Sequence, residues 1–433
     1  MKKAFITLSL LVIATSMFAD NIPFSHTPTL FDAANTNTLG LDYAPEMETV
    51  TVFAPAADTD HFSNGVVMTA FKGALYCMWQ SSKTDEDAAD TWVAYSRSTD
   101  EGKTWSKPMI LAPDIADGYV SSGGWLSTSD KLVAYINVWP DKLNSPKGGY
   151  TRCVTSDDGI NWSEQTDVLM SDGTPIQGIF EQDPHVLPDG RIVNAAHLQP
   201  GLKVSPIYTD DPTGVGGWHL GQFTYTGKVT DAQSRELEPS LYRKADGTLV
   251  MIFRDQNSTY LKMAATSSDN GETWSNSVLT DFPDARTKQS AGNLPDGTAY
   301  FACNPVNNKL RSPLVVALSK DGEIFNTAYL LRSNNEMPTL RYAGKAKRAG
   351  YHYSKSMVYN GFLYVAYATN KEDVQYTRVP LSSISLNGGG SDISHITNTP
   401  EKSDDAVYNL YGQRVGKEAK GILIKRGKKF IKK

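Results

Sequence analysis

Two short sequence patterns recur along this chain at nearly constant spacing, and they limit its fold more than any other feature does. The first is a tight turn followed by an apolar stretch, with turn positions at Gly73, Asp130, Gly190, Gly247, Gly297 and Gly361. These positions lie 57, 60, 57, 50 and 64 residues apart. Asp-Gly and Asn-Gly pairs between apolar runs are typical of β-hairpin turns, because glycine adopts positive φ without a clash at Cβ. The spacing therefore indicates six similar units.

The second pattern is a box of the form Ser/Thr-x-Asp-x-Gly-x-x-Trp. It occurs at residues 98–105, 155–162 and 267–274, with a degenerate copy at 319–325. The box aspartates are Asp100, Asp157, Asp269 and Asp321, separated by 57, 112 and 52 residues. The long interval is about two periods, so we expect a decayed copy between Asp210 and Trp218. In each box the aspartate is expected to bond the turn backbone while the Trp packs against the sheet.

Each unit of about 55 residues has room for four short strands. Apolar runs such as 132–136 and 249–253 follow the turns and are typical of buried strands. No stretch of useful length has a helical period. Six units of four strands predict an all-β chain folded as a six-bladed β-propeller over residues 20–385.

The two ends of the chain differ from this body. Residues 1–19 begin with Lys2 and Lys3 and continue as an apolar run, which predicts a secretory signal peptide and a secreted, periplasmic or cell-surface protein. Residues 386–405 form a polar linker, and 406–433 a tail in which the stretch from Arg414 has nine Lys or Arg and one Glu. The rest of the chain is acidic, which argues against nucleic-acid binding. No second apolar run approaches 18 residues, which argues against an integral membrane protein.

The candidate site follows from propeller geometry, because the first strand of each blade lines the central channel. Counting back nine residues from each turn gives Asn64, Ser121, Glu181, Glu238, Lys288 and His352. The returning second strands bring up Gln80, Asn137, His197, Arg254, Asn304 and Ala368. A sealed channel would have apolar residues at the first set of positions. The polar ring instead predicts a polar, hydrogen-bonding ligand. The three cysteines are widely spaced, which excludes a disulfide scaffold. No metal-binding or cofactor-binding motif occurs, so we expect neither a metal nor a cofactor.

The boxes resemble the Asp-box (BNR) repeats of sialidases over about residues 50–380. Within that resemblance, Glu238 and Arg254 match a strand pair that supplies an active-site Glu and Arg, Arg311 matches a second carboxylate-binding Arg, and Tyr353 matches the nucleophile. The resemblance implies a retaining exo-glycosidase in which Glu238 accepts the proton of Tyr353. Arg254 and Arg311 would hold a substrate carboxylate. The C-terminal end similarly resembles the sorting tails of Bacteroidetes-type exported proteins, with a hairpin packed on the propeller as the alternative.

The general acid is expected on the acidic loop 84–90, and Asp87 and Glu86 are equal candidates. The chain departs from sialidases in the first blade, where His61 to Asn64 replace an Arg-Ile-Pro motif. The third blade adds the acidic residues Glu181 and Asp183. The substrate-binding candidates are Arg254, Arg311, His61, Asn64, Glu181, Asp183, Lys288 and His352. Because the first blade lacks this arginine, sialic acid, another acidic sugar and a neutral sugar all remain candidate substrates. A non-catalytic glycan-binding propeller remains as an alternative.

Overall fold

Antiparallel hairpins make up nearly all of the regular structure, as the turn pattern predicts. The computed structural model describes residues 22–387 and, nearer the C-terminus, residues 407–409, 414–415, 421–425 and 428–432. The only helices in this part of the chain are three 3-10 turns, Asp141–Leu143, Asn334–Glu336 and Leu381–Ser383. Six antiparallel sheets follow one another, so the six-bladed propeller is confirmed. The predicted signal segment and most of the predicted linker lie outside the described residues.

The blades are numbered here by their first strands. The first strands of blades 1 to 6 are Phe62–Phe71, Gly118–Ser127, Gly178–Phe180 with His185–Val186, Glu236–Arg243, Ser290–Asn293 and Tyr351–Tyr359. The second strands are Ala74–Ser82, Leu132–Pro140, Ile192–Leu198, Leu249–Asp255, Ala299–Cys303 and Phe362–Thr369. The third strands are Trp92–Ser98, Tyr150–Ser156, Lys203–Thr209, Leu261–Ser267, Leu314–Ser319 and Asp373–Pro380.

The fourth strands close the ring. In blades 1 to 5 they are Met109–Ala112, Thr166–Asp167, His219–Leu220, Val278–Pro283 and Thr327–Arg332. The fourth strand of blade 6 is Glu48–Phe53, which comes from the N-terminal side and pairs with Asp373–Pro380. The two ends of the propeller are thus joined in one sheet. Two short pairs lie outside the blades: Ser25–His26 with Ile324–Phe325, and Lys228–Thr230 with Gln233–Ser234.

The predicted hairpin turns join the first and second strands of the blades. In blade 1, Lys72 and Gly73 have φ of 47° and 79°, and in blade 6, Asn360 and Gly361 have φ of 46° and 80°. Two successive residues at positive φ are the mark of the type I′ turn, whose twist matches that of the strands.

The boxes form the turns between third and fourth strands. In blade 1, Asp100 Oδ1 accepts the backbone N–H of Thr104 at 2.9 Å, and Gly102 N–H donates to Ser98 Oγ at 2.9 Å. Hydrogen bonds from the Thr104 side chain and backbone and from Ser98 lower the pKa of Asp100 to about 2. A Cβ on Gly102 would lie 2.2 Å from Tyr376 Oη, so this glycine also allows blade 1 to approach blade 6 closely.

The second box needs a correction, because its capping aspartate is Asp158 and not Asp157. Asp158 Oδ1 accepts the backbone N–H groups of Ile160 and Asn161, both at 2.8 Å. Asp157 instead pairs with Lys131 at the surface. The aspartate here is followed directly by Gly159, so the turn is one residue shorter than in the boxes of blades 1 and 4.

The decayed box expected in blade 3 is present. Asp211 Oδ1 accepts the N–H of Thr213 at 2.9 Å, and Trp218 Nε1 donates to the carbonyl of Gly214 at 2.9 Å. Trp218 is fully buried, as a residue that fixes the hairpin against its sheet should be.

The apolar core lies between neighbouring blades. Trp79 and Trp125 are both buried there. The three cysteines, Cys77, Cys153 and Cys303, are buried free thiols. Among the described residues no helix combines the length and apolar character needed to cross a membrane.

The chain divides into two compact units between residues 390 and 391. The described strands of the second unit, Val407–Asn409, Arg414–Val415, Gly421–Lys425 and Lys428–Lys432, form one antiparallel sheet.

Candidate active site

The first strands of three blades begin with the same local irregularity. Strand register shifts between Asn64 and Val67, between Leu237 and Ser240, and between His352 and Lys355. Such a β-bulge re-aims side chains at the end of a strand. At each bulge one residue has positive φ: Gly65 at 61°, Glu238 at 50° and Tyr353 at 55°.

Glu238, Tyr353 and Asp87 therefore share a property. Asp87 also has positive φ, 58°, so three of the four predicted catalytic residues adopt the left-handed conformation without being glycine, and Glu86 is the exception. This conformation costs about 1–2 kcal/mol for a residue with a Cβ. Such strain clusters at functional sites, where surrounding contacts hold it in place.

Glu238 is held by Arg254, as the spacing of sixteen residues suggests. Arg254 Nη1 donates to Glu238 Oε2 at 2.9 Å, and Arg254 Nη2 donates to Gln256 Oε1 at 2.8 Å. The Glu238 backbone N–H donates to His197 Nε2 at 3.2 Å. Burial opposes ionisation of Glu238, but Arg254 and Lys288 outweigh burial and lower its pKa to about 2. Glu238 is therefore a carboxylate at neutral pH.

Tyr353 is surrounded by cations. Arg311 Nη2 lies 3.5 Å from Tyr353 Oη, and the Arg311 guanidinium carbon is 4.4 Å from the ring centre. Lys288 Nζ and Lys371 Nζ lie 5.2 Å and 5.8 Å from that ring centre. Among the described residues no hydrogen bond joins Tyr353 to Glu238. Glu238, the expected proton acceptor, is bonded to Arg254 instead.

His352, a predicted substrate-binding residue, is enclosed by protein in this structure. It is fully buried, and its Nδ1 accepts a hydrogen bond from Arg311 Nη1 at 3.1 Å. Its Nε2 donates to the carbonyl of Arg348 at 3.0 Å. Burial and the neighbouring Arg311 hold the pKa of His352 well below its usual range, so the ring is neutral. In this structure His352 therefore contacts two arginines, and its role in substrate binding stays a prediction.

The acidic loop 84–90 places Glu86 and Asp87 against different cations. Glu86 Oε1 accepts Lys371 Nζ at 2.6 Å and Asn64 Nδ2 at 3.2 Å. Asp87 Oδ2 accepts Lys147 Nζ at 2.6 Å. Burial and the negative charges of Asp87, Glu181 and Glu86 raise the pKa of Tyr119, so each of these carboxylates lies near the Tyr119 hydroxyl.

Glu181 and Lys288 form a further ion pair at the channel mouth. Two other predicted binding residues, Asp183 and His61, have different partners. Asp183 Oδ1 accepts the backbone N–H of Trp125 at 2.6 Å, and burial raises the pKa of Asp183 despite nearby Lys355. His61 stacks on Tyr342, with ring centres 3.8 Å apart, and its Nε2 bonds the carbonyl of Ala56.

Three cations of the site were not predicted. Lys371 lies in the tight turn after the second strand of blade 6, Arg348 in the connection from blade 5 to blade 6, and Arg286 in the connection from blade 4 to blade 5. Burial and Arg311 lower the pKa of Arg348, which also faces Tyr353, Arg254 and Glu86. The one available sequence signal was for Arg286, which precedes Lys288 by two residues.

The first blade has no arginine at its bulge, because Gly65 occupies that position. A Cβ on Gly65 would lie 2.6 Å from Ser122 Oγ, so a larger residue does not fit there without movement. Within the described residues, no group of three or more His, Cys, Asp or Glu side chains is placed to hold a metal ion.

Comparison with known proteins agrees with the propeller fold. Residues 73–365 match the BNR repeat-like domain family. A solved structure described as a sialidase superposes with a TM-score of 0.58 at 17% identity, over 83% of this chain and 35% of that one. This chain therefore spans about a third of the length of that sialidase.

Two further solved structures are matched over nearly their full length. The intramolecular trans-sialidase from Ruminococcus gnavus, in complex with oseltamivir carboxylate, gives a TM-score of 0.57 at 14% identity, over 78% of this chain and 98% of that one. A protein of unknown function from Dyadobacter fermentans gives 0.57 at 14% identity, over 77% and 99%. At these identities the likeness establishes the fold. The chain belongs to the BNR repeat-like domain family, and it folds as a sialidase-like six-bladed β-propeller.

Proposed function

We propose that this protein is a secreted, retaining exo-glycosidase that releases a terminal acidic sugar from glycans, with Tyr353 as nucleophile. The observation that supports the proposal most is the shared backbone strain of Tyr353, Glu238 and Asp87. These three residues, from blades 6 and 4 and the loop of blade 1, meet the roles of nucleophile, base and acid.

In the proposed first step, Tyr353 Oη bonds to the anomeric carbon as the bond to the leaving oxygen breaks. Glu238 takes the phenol proton, and Asp87 gives its proton to the leaving oxygen. In the second step Asp87 takes a proton from water, whose oxygen attacks the anomeric carbon. The bond to Tyr353 Oη then breaks, and Glu238 returns the proton to the phenol. Net retention follows from two displacements at one carbon.

Substrate binding would prepare Glu238 for this role. In the ligand-free arrangement its carboxylate bonds Arg254 at 2.9 Å. An anionic substrate group competes for the same guanidinium, because an Arg binds a carboxylate with two parallel hydrogen bonds. Release from Arg254 would leave Glu238 free to accept the proton of Tyr353. The positive charges of Arg311 and Lys288 near the ring would stabilise the oxygen as it loses that proton.

Asp87 is a better acid candidate than Glu86 because of its partners. Glu86 is bonded by Asn64 and by Lys371, whose side chain is 3% exposed, so its charge is balanced within the protein. The partner of Asp87 is Lys147, whose side chain is 40% exposed and free to move aside for a leaving group. We therefore assign proton donation to Asp87 and a supporting role to Glu86.

The substrate carboxylate is assigned to Arg311 and Arg348, and the same carboxylate is the group that competes with Glu238 for Arg254. Neither guanidinium has a carboxylate partner among the described residues, although Arg348 faces Arg311. Two adjacent like charges with no anion between them are unfavourable, and an anionic ligand removes the repulsion. The site thus compensates for the arginine that the first blade lacks.

A panel of aryl glycosides of acidic and neutral sugars tests the proposal. We expect the wild-type protein to release the phenol from an acidic sugar with retention of configuration, and the Tyr353→Phe and Glu238→Gln variants to lose this by at least about a thousandfold. A non-catalytic glycan-binding propeller is the second candidate, supported by the absence of a Tyr353–Glu238 hydrogen bond among the described residues. It predicts saturable glycan binding without release from any sugar.

A further inference from the structure

The charges at the channel mouth do not balance. Each of the four carboxylates there already has its own cation: Glu238 with Arg254, Glu181 with Lys288, Glu86 with Lys371, and Asp87 with Lys147. Three arginines in the same region, Arg311, Arg348 and Arg286, have no carboxylate within ion-pair distance in the described part of the chain. Arg311 and Arg348 both lie near Tyr353 and are assigned above to one substrate carboxylate. Arg286 has no carboxylate partner and no part in that assignment.

Arg286 is an unsatisfied cation near Arg254. Its Nε is buried with no hydrogen-bond partner, and its side chain forms no hydrogen bond or ion pair with any described residue. Burial and the charge of Arg254 lower the pKa of Arg286, and Glu238 and Asp255 oppose this only in part. Both of these carboxylates are already occupied, because Asp255 accepts two hydrogen bonds from Arg235 at 2.7 Å and 2.9 Å. The residue is half-buried, so a ligand can reach it.

The loop that carries Arg286 is held in place by hydrogen bonds of buried side chains. The fully buried Lys262 Nζ donates to Asp284 Oδ1 and to Gln289 Oε1, each at 2.7 Å. Gln289 Nε2 in turn donates to the carbonyl of Glu238 at 3.0 Å, which ties this loop to the proposed base. Arg286 itself has φ of 53°, a conformation that the bracing must hold. A braced loop with an unpartnered guanidinium is what a preorganised anion subsite requires.

We propose that Arg286 binds a second anionic group of the substrate, so that the ligand is a sugar residue with two acidic groups. One group is the carboxylate at Arg311 and Arg348, and the other is a sulfate ester, a phosphate ester or a second carboxylate at Arg286. All three have oxygens that accept paired hydrogen bonds from a guanidinium. The inference rests on the proposed function for the position of the sugar in the site.

Equilibrium binding of matched glycan pairs tests the inference. The probes are oligosaccharides with one terminal acidic sugar, each compared with the same compound bearing one added sulfate ester on that sugar. Parallel arms with a phosphate ester and with a second carboxylate identify the group. The full-length wild-type protein is compared with Arg286→Gln. The matched control is Arg243→Gln, which removes an exposed arginine at the far end of the strand that begins near Glu238.

We expect one dianionic probe to bind wild type about ten- to a hundredfold more tightly than its monoanionic partner, which is the size of a hydrogen bond to a charged group. Arg286→Gln should reduce this preference to near unity without weakening the monoanionic probe, and Arg243→Gln should retain it. A wild-type protein that binds both members of every pair equally, or an Arg286→Gln variant that keeps the preference, contradicts the inference. Binding without hydrolysis by wild type would overturn the proposed reaction while leaving the assignment of Arg286 intact.

Discussion

Lys371 of blade 6 reaches across to the acidic loop of blade 1 and donates to Glu86 at 2.6 Å. The backbone is joined at the same place, because Ser63 N–H donates to the carbonyl of Lys371 at 2.9 Å. Blade 6 therefore supplies blade 1 with the cation that its own first strand lacks. The same contact fixes the loop that bears the proposed acid.

Replacing Lys371 with Met should destabilise the protein by about 2–4 kcal/mol, since removal of one partner leaves an uncompensated carboxylate in a largely buried site. This loss of stability is smaller than for a fully buried ion pair, because the Glu86 side chain is 22% exposed. Urea unfolding measures the loss. Adding Glu86→Gln to Lys371→Met should restore about half of it, and a single variant as stable as wild type would contradict the role assigned to this pair.

The fold was predictable because its signals are local. The Asp-Gly and Asn-Gly turns and the boxes each specify a conformation over a few residues, and repetition at one spacing then fixes the number of blades. The error at Asp157 has the same origin. Asp157 has the spacing of the pattern and Asp158 is one residue closer to Gly159, so only the length of the turn decides which side chain caps it.

The site was predictable only where its residues lie on strands of known order. Strand spacing selected Glu238 and Arg254. At the sixth blade it selected His352, and only the resemblance to sialidases pointed to Tyr353, because the bulge after His352 changes which side chain faces the channel. Lys371, Arg348 and Arg286 come from turns and connections. Whether such a side chain reaches the channel depends on the path of the loop through space, which no periodicity encodes.

The inter-blade role of the first box is testable with alanine. Gly73→Ala should cost about 1 kcal/mol, because Gly73 has φ of 79° and nothing lies within 4 Å of an added Cβ. Gly102→Ala should cost about 3 kcal/mol or more, since the Cβ would also lie 2.2 Å from Tyr376 Oη. Thermal and urea unfolding of the two variants give the comparison. Equal losses would show that the box does not hold blades 1 and 6 together.

The depressed pKa of Glu238 predicts an acid-labile contribution to stability. Its pKa falls from a usual value of 4.5 to about 2 in the folded protein, so its contribution is present above pH 4.5 and is lost as the pH falls towards 2. The full effect is about 3 kcal/mol. The free energy of unfolding should therefore decrease more between pH 5 and pH 2.5 for wild type than for Glu238→Gln. Parallel losses in the two proteins would show that Arg254 does not hold this carboxylate ionised.

The strain at Asp87 can be measured with a pair of substitutions. Both Asp87→Gly and Asp87→Ala lose the bond to Lys147, but only glycine adopts φ of 58° freely. We expect the glycine variant to be about 1 kcal/mol more stable than the alanine variant. At Asp85, which does not have positive φ, the order should reverse by about 0.5–1 kcal/mol. Both Asp87 variants should lose turnover by about a hundredfold or more if Asp87 is the acid.

Arg348 offers the sharpest test of how the site compensates for its missing arginine. If Arg348 and Arg311 share a substrate carboxylate, then Arg348→Gln should raise KM for an acidic sugar about tenfold or more and leave kcat nearly unchanged, because the contact forms in the ground state and the transition state alike. His352→Phe should have a similar effect, since it removes the hydrogen bonds that His352 makes to Arg311 and to the Arg348 carbonyl. Arg341→Gln is the control, because Arg341 on the same connection pairs with Glu372 and Asp373. An unchanged KM in Arg348→Gln would place the carboxylate on Arg254 and Arg311, and would leave Arg348 without a role in binding.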